Sequence, residues 1–264
     1  VTNNRGGWAK LEFSKTEHLT SEGYFTYLKE FKGGHSLNAV AGYSYFEKNG
    51  ENFNAENYDF GVEGLKYWDL ESGSYLTDGK AKMGSKKDIT ERLFALYARA
   101  NYSYNDKYMV TATIRHEGSS KFAAENRWGN FWALSGGWRV SGEEFMKEFD
   151  WVNDLKIRFG YGVTGNNDFD ASYMANTLSG DQYWMLPRGS WAFVYGPSSN
   201  VNPYLGWEEK KEWNIGVDYS FFGNRMYGKF DYYRRKIDGM IYEVNVPQPP
   251  YPNCLLYTSP SPRD

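Results

Sequence analysis

The sequence predicts an all-β fold: part of a large antiparallel transmembrane β-barrel, with about nine strands in an up-and-down meander that form an open, curved sheet. Two observations indicate this. Four stretches between Arg92 and Gly165 alternate residue by residue between two kinds of side chain, and a period of two is typical of β-strands. The connections between stretches alternate too, long with short, as they do in outer-membrane barrels.

Each of the four central strands has one uncharged face. The uncharged rows are Phe94, Leu96, Ala98, Ala100, Tyr102 and Tyr104; Tyr108, Val110, Ala112 and Ile114; Trp132, Leu134, Gly136, Trp138 and Val140; and Leu155, Ile157, Phe159, Tyr161 and Val163. The opposite rows carry the Arg, Lys, Asp and Glu residues. An uncharged face that spans about ten residues of a strand, at about 3.3 Å per residue and a tilt near 40°, covers about 25 Å, which is the height of a barrel's apolar band. A soluble β-sandwich, whose core face also alternates, is the alternative.

A tight turn and a group of aromatic residues follow the first of these strands. Asn105-Asp106 is a two-residue turn signal between alternating strands. Tyr102, Tyr104 and Tyr108 cluster beside it, and Trp138 lies near the next turn in the chain. Aromatic residues at this level are typical of the girdle that a barrel places at the membrane interface.

Upstream of Arg92 the pattern predicts one hairpin and one long loop. Residues 24–31 and 36–46 form the hairpin, joined by Lys32-Gly33-Gly34-His35, where the glycines permit positive φ. Residues 7–14 are predicted to form a separate short strand. The segment from Glu47 to about Thr90, rich in Asn, Gly and charged residues, is predicted to be a long loop.

Downstream, a short helix, a second long loop and a last hairpin are predicted. Ser141-Gly-Glu-Glu-Phe145 reads as a helix start with acidic residues in its first turn. The loop spans Asn166 to Tyr204, and the hairpin turns at Phe222-Gly223-Asn224. Because a meander places successive turns at opposite ends, the long loops share one rim, which is extracellular in outer-membrane barrels, and the short turns share the periplasmic rim.

Several motifs resemble, in order and spacing, the barrel of SusC/RagA-type TonB-linked outer-membrane transporters. They are Gly118-Ser-Ser-Lys-Phe122, Asn126-Arg-Trp-Gly129, Gly137-Trp-Arg139, Leu155-Lys-Ile-Arg158, Tyr161-Gly-Val-Thr-Gly-Asn166, Trp207-Glu208, Glu212-Trp-Asn-Ile-Gly216 and Asp231-Tyr-Tyr233. The matched region covers most of residues 20–245. The resemblance implies a barrel of about 22 strands around a plug, to which residues 1–253 would contribute a partial barrel domain. The plug and the TonB-contacting segment would lie upstream.

The resemblance also implies a function and partners. A transporter of this type imports a nutrient, such as an oligosaccharide or a peptide, across the bacterial outer membrane with energy from the TonB complex. It works with a SusD-like surface lipoprotein, it contacts outer-membrane lipid, and it is not an enzyme. A soluble, secreted carbohydrate-binding module is the alternative function. The long and short loop alternation argues against that alternative, because a soluble sandwich has no reason to follow it.

The composition argues against transmembrane helices and against a nucleic-acid partner. The sequence has no run of eighteen apolar residues, which excludes transmembrane helices but not barrel strands, because alternation hides their apolar face from a mean hydropathy of −0.72. The net charge is −3 with scattered Lys and Arg, so no nucleic-acid partner is predicted. No secretory segment follows Val1, and we expect the natural N-terminus to lie upstream.

The end of the chain differs in character from the rest. Its last eleven residues, 254–264, contain the only cysteine, Cys254, and they resemble translated sequencing-adapter read-through. We therefore predict that residues 254–264 are a non-native tail, the alternative being a natural Pro/Ser-rich tail. No redox compartment is inferred from Cys254.

No catalytic, cofactor or metal site is predicted. Gly160-Tyr-Gly162-Val-Thr-Gly165 has the spacing of a dinucleotide fingerprint, but no helix and no βαβ unit follow it. His18, His35 and His116 share no metal-ligand spacing. No Gly-x-Ser-x-Gly elbow offers a nucleophile, which argues against a barrel enzyme.

Aromatic residues in the long loops are the candidate binding residues. They are Trp68, Tyr183, Trp184, Trp191 and Tyr195. Exposed aromatic rings beside polar groups suit stacking on sugar rings or on peptide side chains. Packing of the loops onto themselves is the alternative role.

Overall fold

The computed structural model describes residues 7–61, 68–170, 178–185, 189, 191–197, 202, 204–244 and 255–258, with the backbone alone for β8, β9 and β13. The strands are β1 Trp8–Phe31, β2 His35–Tyr58, β3 Lys82–Lys87, β4 Glu91–Tyr104, β5 Tyr108–Ser119, β6 Trp128–Arg139, β7 Val152–Asn166, β8 Leu178–Met185, β9 Trp191–Pro197, β10 Glu208–Phe221, β11 Met226–Asp238, β12 Ile241–Val244 and β13 Leu255–Thr258. Helical structure comprises α1 Ser74–Thr77 and the 3-10 turns Leu70–Ser72, Val140–Gly142 and Glu144–Met146. In these ranges no helix has the length and apolar character needed to cross a membrane.

One nine-stranded sheet dominates the chain. Its order is β1-β2-β4-β5-β6-β7-β10-β11, with β3 beside β2, and two small sheets, β8-β9 and β12-β13, lie apart from it. Neighbours along the chain are neighbours in the sheet, and their pairing is antiparallel. In the described residues no pairing joins β1 to β11. The prediction of an open antiparallel meander of about nine strands is therefore confirmed.

The chain divides into two compact units, of which the first comprises Val1–Leu19 and Glu47–Glu91. Here the prediction of a loop from Glu47 to Thr90 is wrong, because β2 continues to Tyr58 and β3 pairs with it. Polar contacts support these strands: Asn52 Nδ2 donates to Glu12 Oε1 at 2.9 Å, and Lys10 Nζ lies 2.6 Å from Glu12 Oε2. A strand that is polar on both faces has no hydrophobic period, so the alternation test missed it.

β1 is also longer than predicted. The expected separate strands at residues 7–14 and 24–31 are one continuous strand, Trp8–Phe31. The intervening residues, from Lys15 to Gly23, are mostly polar and exposed. Because these residues lack an alternating hydrophobic pattern, the sequence did not predict that one strand continues through them.

The second unit, Thr20–Phe46 and Arg92–Asp264, contains a sheet whose two faces differ sharply. Strand pairing places the large apolar residues on one face, where most are exposed. They are Phe94, Leu96, Tyr102, Tyr108, Val110, Ile114, Trp132, Leu134, Trp138, Ile157, Phe159, Ile215, Phe230 and Tyr232. An extended exposed apolar face on a sheet is stable against lipid and unstable against water. We call it the outward face and the opposite one the inward face.

The turns at one end of this sheet follow from local sequence. Asn105 and Asp106 both have positive φ, 49° and 53°, as a tight hairpin turn requires, and Gly33 and Gly34 do the same with φ of 87° and 83°. At the predicted helix start, Ser141 to Phe145, the structure has two short 3-10 turns in place of an α-helix, and Glu143 between them is extended. The second turn has the acidic residue Glu144 in its first turn, and the Glu143 carboxylate is bonded to Tyr108 and Trp138.

Connection lengths follow the predicted alternation with one exception. Residues 32–34, 105–107 and 222–225 are short turns, and 59–90 and 167–207 are long connections. The connection 140–151, at the short-turn end, is longer than 120–127 at the opposite end. The difference arises because 140–151 contains the two 3-10 turns.

The division into outward and inward faces predicts different effects for neighbouring substitutions. Leu134 is outward and exposed, and Ser135 beside it is inward. In the full-length protein we expect Leu134→Arg to lower the free energy of unfolding from lipid vesicles by about 2–4 kcal/mol, because a cation near the bilayer midplane is costly.

The matched control is Ser135→Arg, which places the same side chain on the polar face and should cost much less. Urea titration of both variants in vesicles provides the comparison. Equal losses for the two variants would contradict the assignment of the faces.

Candidate functional site

A small buried cluster, which we call the loop anchor, fastens the base of the long connections in the second unit. It consists of Phe122, Phe169, Leu205 and Trp207. Phe122 is 2% exposed and Leu205 0%, and the ring of Phe122 lies 5.4 Å from that of Phe169 and 5.0 Å from that of Trp207. Phe122 comes from the connection 120–127, and the other three residues come from the two ends of 167–207. The anchor therefore joins two loops at one rim of the sheet.

Hydrogen bonds reinforce the loop anchor. The Lys121 ammonium donates to the Phe169 carbonyl at 2.7 Å and lies 5.5 Å from the Phe169 ring centroid. Asn167 Nδ2 donates to the hydroxyl of the buried Ser119 at 3.1 Å, and Trp207 Nε1 donates to the Arg127 carbonyl at 3.0 Å. These bonds join the residues that flank Phe122 to the two ends of the connection 167–207.

The connection held by the loop anchor carries four of the five predicted binding residues. Tyr183 and Trp184 lie on β8, and Trp191 and Tyr195 lie on β9. The two strands pair antiparallel, with Tyr183 opposite Phe193, Trp184 opposite Ala192 and Met185 opposite Trp191. Their side chains lie outside the described part of the structure. The prediction of an irregular loop is wrong for this segment, whose backbone brings the four residues into one hairpin.

Trp68 lies in the first unit, shortly before the 3-10 turn Leu70–Ser72, and its side chain is 77% exposed. Nearby, the amide of buried Asn57 donates to the carbonyls of Leu70 and Gly73 at 2.7 and 2.8 Å. These bonds fix the turn that follows Trp68. An exposed indole beside a fixed turn can stack on a ligand.

The inward face carries a charged crossbar, consisting of Arg158, Asp218 and Asp231. Arg158 binds Asp218 through two bonds of 2.8 Å and reaches Asp231 at 3.0 Å. Arg158, Gly216 and Asp231 are paired in register across β7, β10 and β11. A Cβ at Gly216 would lie 2.5 Å from Asp231 Oδ1 and 2.7 Å from Arg158 Nη2. The missing side chain of Gly216 therefore lets the guanidinium extend over the middle strand.

Further ion pairs line the inward face toward the long-loop end. Arg235 Nε lies 2.8 Å from Glu212 Oε2, and Lys210 Nζ lies 3.7 Å from the same oxygen. On β5, Arg115 binds Glu117 through two bonds of 2.8 and 2.9 Å and donates to the Ser44 hydroxyl. A polar wall of this kind suits the interior of a barrel, where hydrophilic solutes pass.

Neither the loop anchor nor the charged crossbar was predicted from the sequence. Phe122, Trp207 and Gly216 all belong to motifs that carried the resemblance. The available signal was the residue type, an aromatic residue at a strand end or a glycine within a strand. The predicted meander makes β7 and β10 neighbours, but nothing in a one-dimensional pattern gives their register across the long connection 167–207, and both features depend on that register.

At the short-turn end, Glu143 is the centre of a polar cluster. Its carboxylate accepts hydrogen bonds from the Tyr108 hydroxyl at 2.6 Å, the Trp138 indole at 3.1 Å and the Lys107 ammonium at 3.3 Å. These bonds, that of Tyr108 first, hold the pKa of Glu143 below its ordinary value. The predicted aromatic group at this turn thus also carries a charged centre.

The histidines in the described residues take part in aromatic and polar contacts. His35 Nδ1 lies 2.6 Å from the Tyr102 hydroxyl, and His116 stacks on Trp128 at 4.7 Å and contacts Asn130 at 2.7 Å. Within the described ranges, no three His, Cys, Asp or Glu side chains are arranged to hold a metal ion.

An antiparallel meander with an outward apolar face and an inward charged face defines this chain as wall of an outer-membrane β-barrel. The chain belongs to the TonB-dependent receptor family: the family model described as "TonB dependent receptor-like, beta-barrel" matches residues 2–260. The resemblance drawn from the motifs is confirmed, and the location is the outer membrane.

Relatives and solved structures agree with this assignment. TonB-dependent receptor P39 of Formosa agariphila is 34% identical over 86% of this chain and 21% of its own length. TonB-dependent receptor SusC of Bacteroides thetaiotaomicron is 33% identical over 64% of this chain and 17% of its own. The RagAB peptide transporter structure matches 95% of this chain and 26% of that chain with a TM-score of 0.74 at 23% identity. The chain spans about a fifth of the length of the two relatives.

The Glu143 cluster predicts a pH-dependent contribution to stability. A pKa held below the unfolded value of about 4.3 contributes stability that is present above that pH and is lost as the pH falls through the folded pKa. In the complete protein we expect Glu143→Gln to lower the urea midpoint at pH 7, with the difference from wild type shrinking as the pH falls through the lowered pKa of Glu143.

Glu144→Gln is the control for Glu143→Gln. Glu144 is adjacent and strongly exposed, and it pairs with Lys147 within the same turn. Such pairs contribute little, so this variant should stay near wild type. A Glu143→Gln deficit that persists unchanged at low pH would show that its carboxylate charge is not the cause.

The loop anchor predicts a local effect on the loops. Leu205→Ala removes a buried side chain, a change that costs about 2–5 kcal/mol in a packed site. Because the cluster joins loops at the rim, we expect faster amide hydrogen exchange in residues 119–127 and 166–170 and little change in β4 to β6. Tyr204→Ala, at an 80% exposed neighbour, should leave exchange as in wild type. Identical exchange in the two variants would exclude the anchor role.

Proposed function

We propose that the protein to which this chain belongs imports a polar oligomer, an oligosaccharide or a peptide, across the outer membrane in a TonB-dependent manner. The observation that carries the proposal is membership of the TonB-dependent receptor barrel family over residues 2–260. In this proposal the chain supplies barrel wall, lumen lining and outer loops. The chemistry is binding and gated passage, and no bond of the solute is broken.

The inward face supports the lumen role. The Arg158 crossbar and the Glu212–Arg235 pair place both signs of charge on the face opposite the lipid. Paired charges present hydrogen-bonding groups without a large net field, which suits a neutral, hydroxyl-rich or amide-rich solute better than a strongly charged one.

The outer loops support the capture role. The β8-β9 hairpin carries Tyr183, Trp184, Trp191 and Tyr195 on a connection whose base is fixed by the loop anchor. Aromatic residues on a loop with a fixed base are suited to stacking on sugar rings or apolar peptide side chains. Trp68, exposed in the first unit, is proposed as a further contact.

Three partners belong to this proposal. A SusD-like lipoprotein would cover the rim of the long connections, the TonB complex would supply energy, and lipid would surround the outward face. The plug and the TonB contact are assigned to those parts of the relatives' length that this chain does not span. RagAB, a structural neighbour, is a peptide transporter, and a peptide is therefore proposed beside an oligosaccharide as a solute to test.

The soluble carbohydrate-binding module left open by the sequence does not fit an outer-membrane barrel family. Its core face would be buried between two sheets, whereas Leu96, Ile114, Leu134 and Phe159 on the outward face are exposed.

The proposed function is tested by uptake in cells that produce the complete protein. Fluorescently labelled oligosaccharides and peptides are supplied in parallel, with and without an intact tonB gene. Accumulation of one solute class that requires both the transporter and TonB supports the proposal and identifies the class. Equal accumulation in cells lacking TonB would reject it.

The aromatic hairpin predicts a specific loss. In the complete transporter, Trp184→Ala with Trp191→Ala should lower uptake by about tenfold or more at limiting solute, since stacking on each ring contributes about 1 kcal/mol. Surface abundance, measured with an antibody on intact cells, should not change. The control is Tyr204→Ala, which removes an exposed ring from the same connection but outside the hairpin. Unchanged uptake in the double variant would remove the hairpin from the site.

A further inference from the structure

The outward face of the described residues contains a marked depression. Its floor is made of five small side chains on three adjacent strands: Ala39 and Ala41 of β2, Ala98 and Ala100 of β4, and Ala112 of β5. Phe25 and Tyr27 of β1 form one wall and Ile114 of β5 the other. Its volume is about 620 Å³, which is within the range of small-molecule sites.

The depression exists because large side chains surround small ones. Phe25 is 87% exposed and Ile114 and Leu96 are about half exposed, so they project outward around the alanines. Alanine rows on three neighbouring strands, each about 4.8 Å from the next, leave a hollow about 10 Å across. At this level of the outward face the surroundings are hydrocarbon, and no water is present to fill the space.

A cation and a polar pair lie one row away, toward the short-turn end. Lys29 follows Tyr27 by two positions on β1, which places it on the same face about 7 Å further along the strand. Its ammonium is 5.1 Å from the centroid of the Phe31 ring. The Tyr102 hydroxyl and His35 Nδ1, 2.6 Å apart, lie at the same end of β4 and β2. Short turns are periplasmic in barrels of this class, so these groups lie at the level of lipid headgroups.

We propose that the alanine depression is a binding site for one glycerophospholipid of the periplasmic leaflet. One acyl chain fills the depression, and the phosphate lies beside the Lys29 ammonium. The hydrophobic effect does not favour this chain over the surrounding lipid; selection comes from van der Waals packing in the hollow and from the charge contact. The site is separate from solute import and does not depend on it.

A lipid chain fits this shape better than a second protein copy. A stable protein interface buries about 1,200 Å² or more with complementary packing, whereas the walls Phe25 and Ile114 stand above the floor and would hold a second sheet away from it. A flexible acyl chain adapts to a hollow of this width. The basic residue at the headgroup end and no acidic residue in the lining agree with a phosphate rather than with a cationic group.

The experiment uses the complete transporter in phosphatidylcholine vesicles that contain about 1% of a phosphatidylethanolamine with a photoreactive diazirine in its acyl chain. After illumination, mass spectrometry locates labelled peptides. We expect labelling concentrated on the peptides of β2, β4 and β5. Ala41→Leu with Ala100→Leu fills the hollow and should reduce this labelling by about tenfold.

Two further variants make the test specific. Gly136→Leu introduces the same side chain at an outward position on β6, where a Cβ meets only the Met109 carbonyl at 3.8 Å, and should leave the β2, β4 and β5 labelling unchanged. Lys29→Gln keeps the hollow and should lower labelling by about fivefold for the phospholipid, with no change for an uncharged diacylglycerol carrying the same diazirine. Because Lys29 is exposed, this variant tests the site even if the double leucine variant fails to assemble.

Several results would overturn the proposal. Equal labelling of all outward strands would show ordinary surrounding lipid only. Labelling that is unchanged in the double leucine variant would place the lipid elsewhere. Phospholipid labelling absent from β2, β4 and β5, with a bifunctional reagent cross-linking two copies of the protein through these strands, would assign the depression to a protein interface.

Discussion

The structure depends on a single constraint: in a bilayer every backbone amide must find its partner within the protein, and every side chain must face either lipid or polar surroundings. In the ladder β1-β2-β4-β5-β6-β7-β10-β11, the strands between β1 and β11 meet the first demand, because each pairs with a strand on both sides. The segregation of Leu134 and its neighbours from Ser135 and its neighbours meets the second. When both conditions are met, each turn and loop lies at a defined end of the strands, and each ion pair lies on a defined face of the sheet.

The sequence predicted the strands whose two faces have different surroundings, because such strands alternate residue by residue. From Arg92 to Gly165 the period of two was unambiguous, because lipid on one side and polar surroundings on the other impose opposite chemistry on consecutive residues. The prediction failed in strands whose two faces have similar surroundings. The polar part of β2 beyond Glu47 and the polar middle of β1 have similar surroundings on both faces, and the β8-β9 hairpin lies within a connection that the alternation test did not resolve.

The candidate site shows the same limit. The aromatic residues Trp184 and Trp191 could be picked out by type, since bulky rings among polar residues are visible in one dimension. The loop anchor could not, because Phe122 and Leu205 meet only after β7 and β10 have paired across a long intervening connection. The acidic residues at Glu143 and Glu144 indicate a helix start, but the bond from Tyr108 to Glu143 joins two separate connections and is not visible in the local sequence.

The Arg158 crossbar bears on the register of its three strands, which residue alternation does not determine. A period of two fixes which face a strand presents, but a slip of two residues keeps every face correct, so parity alone does not choose the register. A tight turn would choose it, yet β7 and β10 are joined by the long connection 167–207. Arg158 can contact Asp218 and Asp231 together only when Gly216 is directly opposite it. The absence of a side chain at Gly216 therefore favours the observed register of β7, β10 and β11 over registers that are displaced by two residues.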